Sequence, residues 1–142
     1  MKISVAMATY NGAQYIEEQL ESIRIQTMPV DEVRICDDGS SDDTVEVICH
    51  YIREHGLESS WSVEVNRENL GYASNFMKAV GLTNGDYVFF CDQDDIWIAD
   101  RAERMNGLME AHPDMLLLGS EFDSFVSAKD APSVPVWEQK MI

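Results

Sequence analysis

The chain has 142 residues, 45% hydrophobic and 25% charged, with a formal net charge of −16. That length favours one domain able to bury its own core, and the composition is that of an ordinary globular protein. Such acidity argues against nucleic acid and anionic membrane surfaces as partners, because no basic patch is present to neutralise phosphates; a phosphorylated small molecule stays open, since a metal ion or a helix N-terminus can hold phosphate.

Residues 3–10, ISVAMATY, form an apolar run of strand length closed by Asn11-Gly12. Ile16, Leu20 and Ile23 then recur at steps of four and three, one face of a helix. EVRICDD (32–38) alternates as a second strand, and GSSDDT follows, where Ser40 or Ser41 can cap a helix whose first turn carries acids. Val45, Ile48 and Ile52 give that helix a buried face, and Gly56 ends it. WSVEVN (61–66) is a third strand. NLGYASNFMKAV (69–80) opens at a glycine and turns helical, with Phe76, Met77 and Val80 inward. DYVFFC (86–91) is a continuous aromatic fourth strand, expected to be buried on both faces. Asp100 to His112 is a helix with Met105, Leu108 and Met109 inside, stopped by Pro113, and MLLLG (115–119) is a fifth strand. Met105, Met109 and Met115 are read as core filler, and His50, His55 and His112 as surface or structural residues. From Glu121 to Ile142 periodicity is weak.

This strand–helix alternation predicts an α/β fold, a parallel sheet with helices on both faces. Ligands of such sheets bind outside the carboxyl ends of the strands. That rule selects three polar clusters: Thr9-Tyr10-Asn11, Asp37-Asp38-Gly39 and Asp92-Gln93-Asp94-Asp95. The last crowds like charges that repel unless something positive sits between them. A diphosphate approaches clustered carboxylates only when a hard dication bridges them. A solvated acidic turn is the plainer reading of the cluster alone, but it would not explain three polar clusters at one end of the sheet. Asp95 is expected to be structural and Trp97 to pack beneath the site. Asn69 and Gly71 turn the chain, or open a helix N-terminus toward a ligand.

Cys36, Cys49 and Cys91 form no CxxC pair, and an odd count in apolar runs points to a reducing compartment. The opening MKISVAMATYNG is too short an apolar run for a signal peptide, and no stretch approaches a membrane span. The expectation is a cytoplasmic protein with no transmembrane segment; a position at the inner face of a membrane is compatible with it.

SVAMATYNG, VRICDDGSSDDT, NLGYASNF and FFCDQDDIW, in that order, resemble the nucleotide-binding half of family 2 glycosyltransferases with the GT-A fold, and CDQDDIW is most similar to bacterial rhamnosyltransferase-like members. The resemblance covers residues 2–119. It implies a Rossmann-like parallel (mixed) sheet, a donor half-domain over residues 1–119, and a C-terminal extension or start of an acceptor region over 120–142. It implies that Asp38 contacts the nucleobase, that Thr9, Tyr10 and Asn11 lie against base and ribose, and that Asp92-Gln93-Asp94 is the DxD motif. Asp94 would then be the ligand of Mn²⁺ or Mg²⁺, with Asp92 reaching the ribose or metal-bound water. Asn69 and Gly71 complete the expected nucleotide site. The implied function is an inverting transfer of sugar from a UDP- or dTDP-sugar to a saccharide or lipid-linked acceptor in cell-surface polysaccharide synthesis. Family members carry their general base later in the chain. It is therefore expected beyond Ile142, since Glu121 and Asp123 come too early, and the present chain is expected to be a fragment inactive alone. Two rivals are a non-catalytic nucleotide-binding or assembly module and a phospho-receiver domain. The receiver needs an acidic pair after its first strand and a lysine after its fifth, and neither is present in Thr9-Tyr10-Asn11 or MLLLGSEF.

Overall fold

The computed structural model describes residues 1–121 and 123. The chain divides into two compact units, Met1–Gly107 and Leu108–Ile142, and the sheet and site described below belong to the first. Elements run β1 (Ile3–Thr9), α1 (Ile16–Arg24), β2 (Glu32–Asp37), α2 (Thr44–Glu54), β3 (Trp61–Val65), α3 (Tyr72–Gly81), β4 (Tyr87–Cys91) and α4 (Arg101–Ala111). The strands form one sheet in the order β3-β2-β1-β4, and every pairing among the described residues is parallel. Parallel neighbours need a crossover, and helices supply each one.

All seven residues of β1 are buried, as a central strand covered on both faces requires. On one face Ile3, Val5 and Met7 meet Ile16, Leu20 and Ile23 of α1 and Ile48 and Ile52 of α2. Ile16, Leu20 and Ile23 are each fully buried, contributing about 1.5–3 kcal/mol apiece. On the other face Ala6 and Cys36 pack against Ala79 of α3, with Val80 and Val88 at the margin. Small residues here let α3 lie close to the sheet.

The N-terminal edge of the sheet is tied by Glu32, which is buried. It accepts from the Ser4 hydroxyl at 2.6 Å, Arg34 at 2.8 Å and the Asn84 amide, with Lys2 at 3.4 Å. Burial would raise its carboxyl. The Ser4 hydroxyl, the Asn84 amide and the two cations outweigh that and hold it at about 2.

Several expectations are corrected. Phe90 is 54% exposed, because β4 is an edge strand of the described sheet rather than a strand covered on both faces. Met77 is 64% exposed; α3 turns Phe76 and Ala79 inward instead, three positions apart. Leu108 is exposed, and α4 buries only Ala102 and Asn106 fully. Residues 115–119 form no strand, and Leu116 and Leu117 lie open; an apolar run without a pairing partner has nothing to satisfy its backbone as a strand. The N-cap position of α2 is Asp43, whose side chain makes no capping hydrogen bond, and neither Ser40 nor Ser41 caps the helix. Asp42 accepts from the Thr44 amide at 3.0 Å and from the Thr44 hydroxyl, while the Ser40 hydroxyl serves Asp37.

Candidate functional site

Sheet register builds the site. Thr9 lies opposite Asp37, Met7 opposite Cys91, and Asp37 opposite Val65. Parallel strands in that register end together, so the residues after β1, β2, β3 and β4 all emerge at one edge.

The first two loops interlock. Asn11 adopts a left-handed backbone with φ 48°, a conformation asparagine tolerates better than most residues. Its amide N–H donates to the Ser40 hydroxyl and its side-chain oxygen accepts from the Ser41 amide, both at 2.8 Å. The Gly12 amide donates to the Thr44 hydroxyl at 2.9 Å and the Ala13 amide to Asp42 at 3.1 Å. Asn11 thus turns its side chain to the second loop.

Asp37 and Asp38 have separate duties. Asp37 is fully buried. It accepts from the Thr9 hydroxyl at 2.8 Å, the Ser40 hydroxyl at 2.5 Å, and the Gly39 and Ser40 amides at 3.1 and 2.8 Å. It is the knot of the turn. The Asp38 carboxylate takes three donors: Asn66 Nδ2 at 3.0 Å and the Leu70 amide at 2.7 Å on Oδ1, and the Gly71 amide at 2.9 Å on Oδ2. Burial would raise its carboxyl, but these donors outweigh burial and hold it below the usual carboxylate range. One lone-pair site on Oδ2 is left. Gly71, at φ 83°, makes the turn that brings the Leu70 and Gly71 amides onto this carboxylate ahead of α3. Asn69 supports it by donating to the Asp38 carbonyl at 3.2 Å.

Asn66 is buried and fixed from two further sides. It donates to Asn75 Oδ1 at 2.7 Å and accepts from Lys78 Nζ at 2.8 Å. Asn75 in turn donates to the Cys36 carbonyl at 2.8 Å.

The loop after β4 is built differently. Asp92 is half-buried, and among the described residues its carboxylate accepts the Gln93 amide at 3.1 Å. Burial pushes its carboxyl up, the Gln93 amide pulls it partway back, and negative Asp94 adds to the rise. Asp95, whose side chain keeps an open flank, is also raised, first by lost hydration and then by Asp94 and Asp92, with Arg101 opposing. The Arg101 guanidinium lies 5.0 Å from the Trp97 ring centroid, and Trp97 is buried against Phe89 beneath the loop. Gln93 reaches back to the first loop: its Oε1 accepts from the Tyr10 amide at 2.8 Å and its Nε2 donates to the Tyr10 carbonyl at 3.0 Å.

A cavity of about 350 Å³ opens at this edge, and Thr9, Tyr10, Asp38, Asn69, Gly71 and Asp92 all line it. Sequence reasoning had named each of them. It had placed Gln93 in the Asp92–Asp95 cluster without giving its side chain a role, and had not named Tyr72 or Asn75; all three line the cavity too. Tyr72 had a legible signal as an aromatic just after Gly71; the roles of Gln93 and Asn75 depend on partners distant in sequence. Asn11 and Asp94 are not among the lining residues. The volume suits a small polar molecule. A concavity of about 410 Å³ runs along β3 among Glu64, Arg67, Glu68 and Lys78. It touches none of the β1 or β4 loop residues.

Among the described residues, no group of three or more His, Cys, Asp or Glu side chains is arranged to hold a metal ion by itself. The donor set nevertheless fits a hard dication that brings other ligands. Asp92 and Asp94 offer carboxylate oxygens two positions apart in one loop. Asp92 has a single donor and suffers like-charge repulsion, which a cation relieves.

In open parallel α/β sheets the carboxyl ends of the strands are where ligands bind, and the polar cavity lies there. Residues 4–134 match the Glycosyl transferase family 2 domain, so the chain belongs to that family. It is 41% identical over 99 residues to the dTDP-rhamnosyl transferase RfbG of Shigella flexneri, covering 67% of this chain and 34% of the relative. It is 30% identical over 139 residues to the putative glycosyltransferase EpsE of Bacillus subtilis, covering 94% and 49%. Among solved structures it superposes on TarS of S. aureus in complex with UDP with a TM-score of 0.70 at 29% identity, over 80% of this chain and 33% of that one. It also superposes on a Pyrobaculum calidifontis mannosyltransferase in complex with GDP-Man and Mn²⁺, with a TM-score of 0.64 at 30% identity, over 69% and 29%. The chain spans a third to a half of the curated relatives' length. The fold is the GT-A-type α/β arrangement of these neighbours.

Proposed function

We propose that this chain binds a UDP- or dTDP-sugar in the strand-end cavity, and that the protein transfers the sugar with inversion to a saccharide or lipid-linked acceptor in cell-surface polysaccharide synthesis. Residues 1–119 are read as the donor half, with the chain from residue 120 turning toward acceptor recognition. The observation that carries the reading is the convergence on one cavity of six residues from three strand-end loops, Thr9, Tyr10, Asp38, Asn69, Gly71 and Asp92. The relatives support it: one is named a dTDP-rhamnosyl transferase, another an abequosyltransferase, and TarS has been solved with UDP and with UDP-GlcNAc.

The roles follow from the geometry. Asp38 is ionised, held rigidly by three donors, and has one acceptor site left for a nucleobase N–H. Tyr10 is half exposed on the cavity wall, where its ring can cover base or ribose. Asp94 and Asp92 would hold Mn²⁺ or Mg²⁺, which supplies Lewis-acid stabilisation of the departing diphosphate. Phosphate and water oxygens would complete that shell.

Calorimetric titration with UDP and dTDP, in Mn²⁺ and in EDTA, tests this. Tighter binding in Mn²⁺ is expected, and Asp94→Asn should remove at least about tenfold of that gain while the fold persists. Equal affinity in Mn²⁺, in EDTA and in the variant would overturn the reading in favour of an assembly module.

A further inference from the structure

Gln93 stands between two acids, yet its side chain serves neither. A primary amide can donate and accept at once, and here it grips both backbone groups of one residue, the N–H and the C=O of Tyr10. Glu, Asp, Lys and Arg lack one half of that capacity, and Asn is one methylene shorter. The space for this grip comes from Gly12. A β-carbon there would fall 2.3 Å from Gln93 Oε1, 2.5 Å from Cδ and 3.0 Å from Nε2. Gly12 does not have a positive φ, so its backbone is one alanine adopts freely. Its lack of a side chain serves the Gln93 amide, not a turn.

The acidic loop has reason to need a tether. Asp92, Asp94 and Asp95 crowd like charges into four positions of one loop, and among the described residues the Asp92 carboxylate is met by the Gln93 amide of that same loop. Without the Gln93 grip the charges would swing the loop outward. With it, Asp92 and Tyr10 line the same cavity.

We propose that Gln93 is a positioning residue that couples the acidic loop to the Tyr10 turn, so that a dication at Asp92 and Asp94 and a nucleoside against Tyr10 strengthen each other's binding. This rests on the donor-site reading above. Coupling of this kind is reciprocal: Mn²⁺ tightens the nucleotide by the factor with which the nucleotide tightens Mn²⁺. Gln93 touches neither ligand in this scheme and acts only through the loop and the turn it joins.

The test is a double-mutant cycle on Gln93→Ala and Gly12→Ala, with UDP or dTDP as probe, whichever the unaltered protein binds more tightly. Affinity is measured in saturating Mn²⁺ and in EDTA, Mn²⁺ alone is titrated, and thermal midpoints are recorded. Each single variant should lower the Mn²⁺-dependent gain about tenfold, the scale on which supporting groups tune a metal site, with little change in EDTA. Gln93→Glu should behave like Gln93→Ala, because a carboxylate cannot donate to the Tyr10 carbonyl. In the Gln93→Ala background, Gly12→Ala should add less than about a twofold loss, since the atoms it would strike are gone. Retention of the Mn²⁺ gain by Gln93→Ala would overturn the proposal. So would losses that simply add in the double variant, or affinities that fall equally in Mn²⁺ and EDTA, which would mark Gln93 as a structural brace of the turn. If the unaltered protein binds neither nucleotide in Mn²⁺, the donor-site reading itself fails and the coupling falls with it.

Discussion

Asp37 ends β2 and Asp38 follows it, while Asp92, Asp94 and Asp95 follow β4 at the same edge of one sheet, but the protein treats the two groups oppositely. Asp37 takes four donors and the Asp38 carboxylate three, from amides, hydroxyls and Asn66. Asp92 takes one donor, from its own loop. The consequence is electrostatic. Asp38 is held below the usual carboxylate range despite its burial, while Asp92 and Asp95 are pushed above it. The first group is complete and contributes to the fold. The second is a cluster of carboxylates raised first by burial and then by one another's charge, opposed in part by Arg101 at Asp95, and a bound cation would relieve it.

If that contrast is right, removing an acid should have opposite signs at the two ends. The largest effect belongs to Asp37→Ala. It leaves two hydroxyls and two amides without their acceptor in a buried turn, at a cost of about 4 kcal/mol in urea unfolding. A loss below about 1 kcal/mol would show that water replaces the carboxylate and that the turn is not knotted as described.

Glu32 extends the comparison to the other end of the sheet. It is held at about 2 against an ordinary 4.5. A carboxyl lowered in the folded state stabilises fully above its unfolded value, and that contribution is lost as pH falls from about 4.5 toward 2. Glu32→Gln should therefore be less stable than the unaltered protein at neutral pH, by on the order of 3 kcal/mol, and the gap should close as acid approaches pH 2. A gap independent of pH would mean that packing, not ionisation, sets the role of Glu32.

Much of this was legible in the sequence. The strand–helix alternation and the three strand-end clusters follow from local periodicity and turn residues, which are properties of neighbours in the chain. The division of labour between Asp37 and Asp38 was not, because it depends on Asn66, Leu70 and Gly71, some thirty residues away. Gln93 escaped for the same reason: its partner is backbone, and backbone carries no residue code. Ser40 does not cap α2 because its hydroxyl is claimed by Asp37, and the N-cap position falls on Asp43. The exposed Phe90 and the unpaired run at 115–119 show the limit of apolarity as a guide. A hydrophobic stretch becomes a buried strand only if a neighbouring strand or helix covers it.

A smaller effect sharpens the role of Asp38. On the proposed reading, its remaining acceptor site would meet the nucleobase as a lone pair. Uracil and thymine present a ring N–H; cytosine and adenine present a bare nitrogen there. A mismatch costs about 1–3 kcal/mol, or roughly ten- to a hundredfold in affinity. UDP and dTDP should bind more tightly than CDP and ADP in Mn²⁺, and Asp38→Asn should flatten the ratio, because an amide can either donate or accept. Guanine carries donors, so GDP must be excluded by cavity size rather than by Asp38. Equal binding of CDP and UDP would remove Asp38 from base reading while leaving its place in the turn untouched.

The smallest effect carries the opposite sign and so tests the contrast most directly. Burial first, and then the negative charges of Asp94 and Asp92, raise the Asp95 carboxyl, with Arg101 opposing. Asp95→Asn keeps the shape of the side chain and deletes the charge. At neutral pH without metal it should stabilise the protein, by no more than a few tenths of a kcal/mol, because solvent screens charges on an open flank. Thermal midpoints compared in EDTA would register the gain, and raising the salt concentration should shrink it. Adding Mn²⁺ with UDP should erase it, since a bound dication supplies the compensation that the substitution mimics. No asparagine at Asp37 or Asp38 can produce such a gain, because those carboxylates already face donors and an amide would turn a hydrogen toward one of them. If Asp95→Asn instead destabilises in EDTA, the β4 loop is satisfied from within the chain, and the case for an external cation there loses its physical basis.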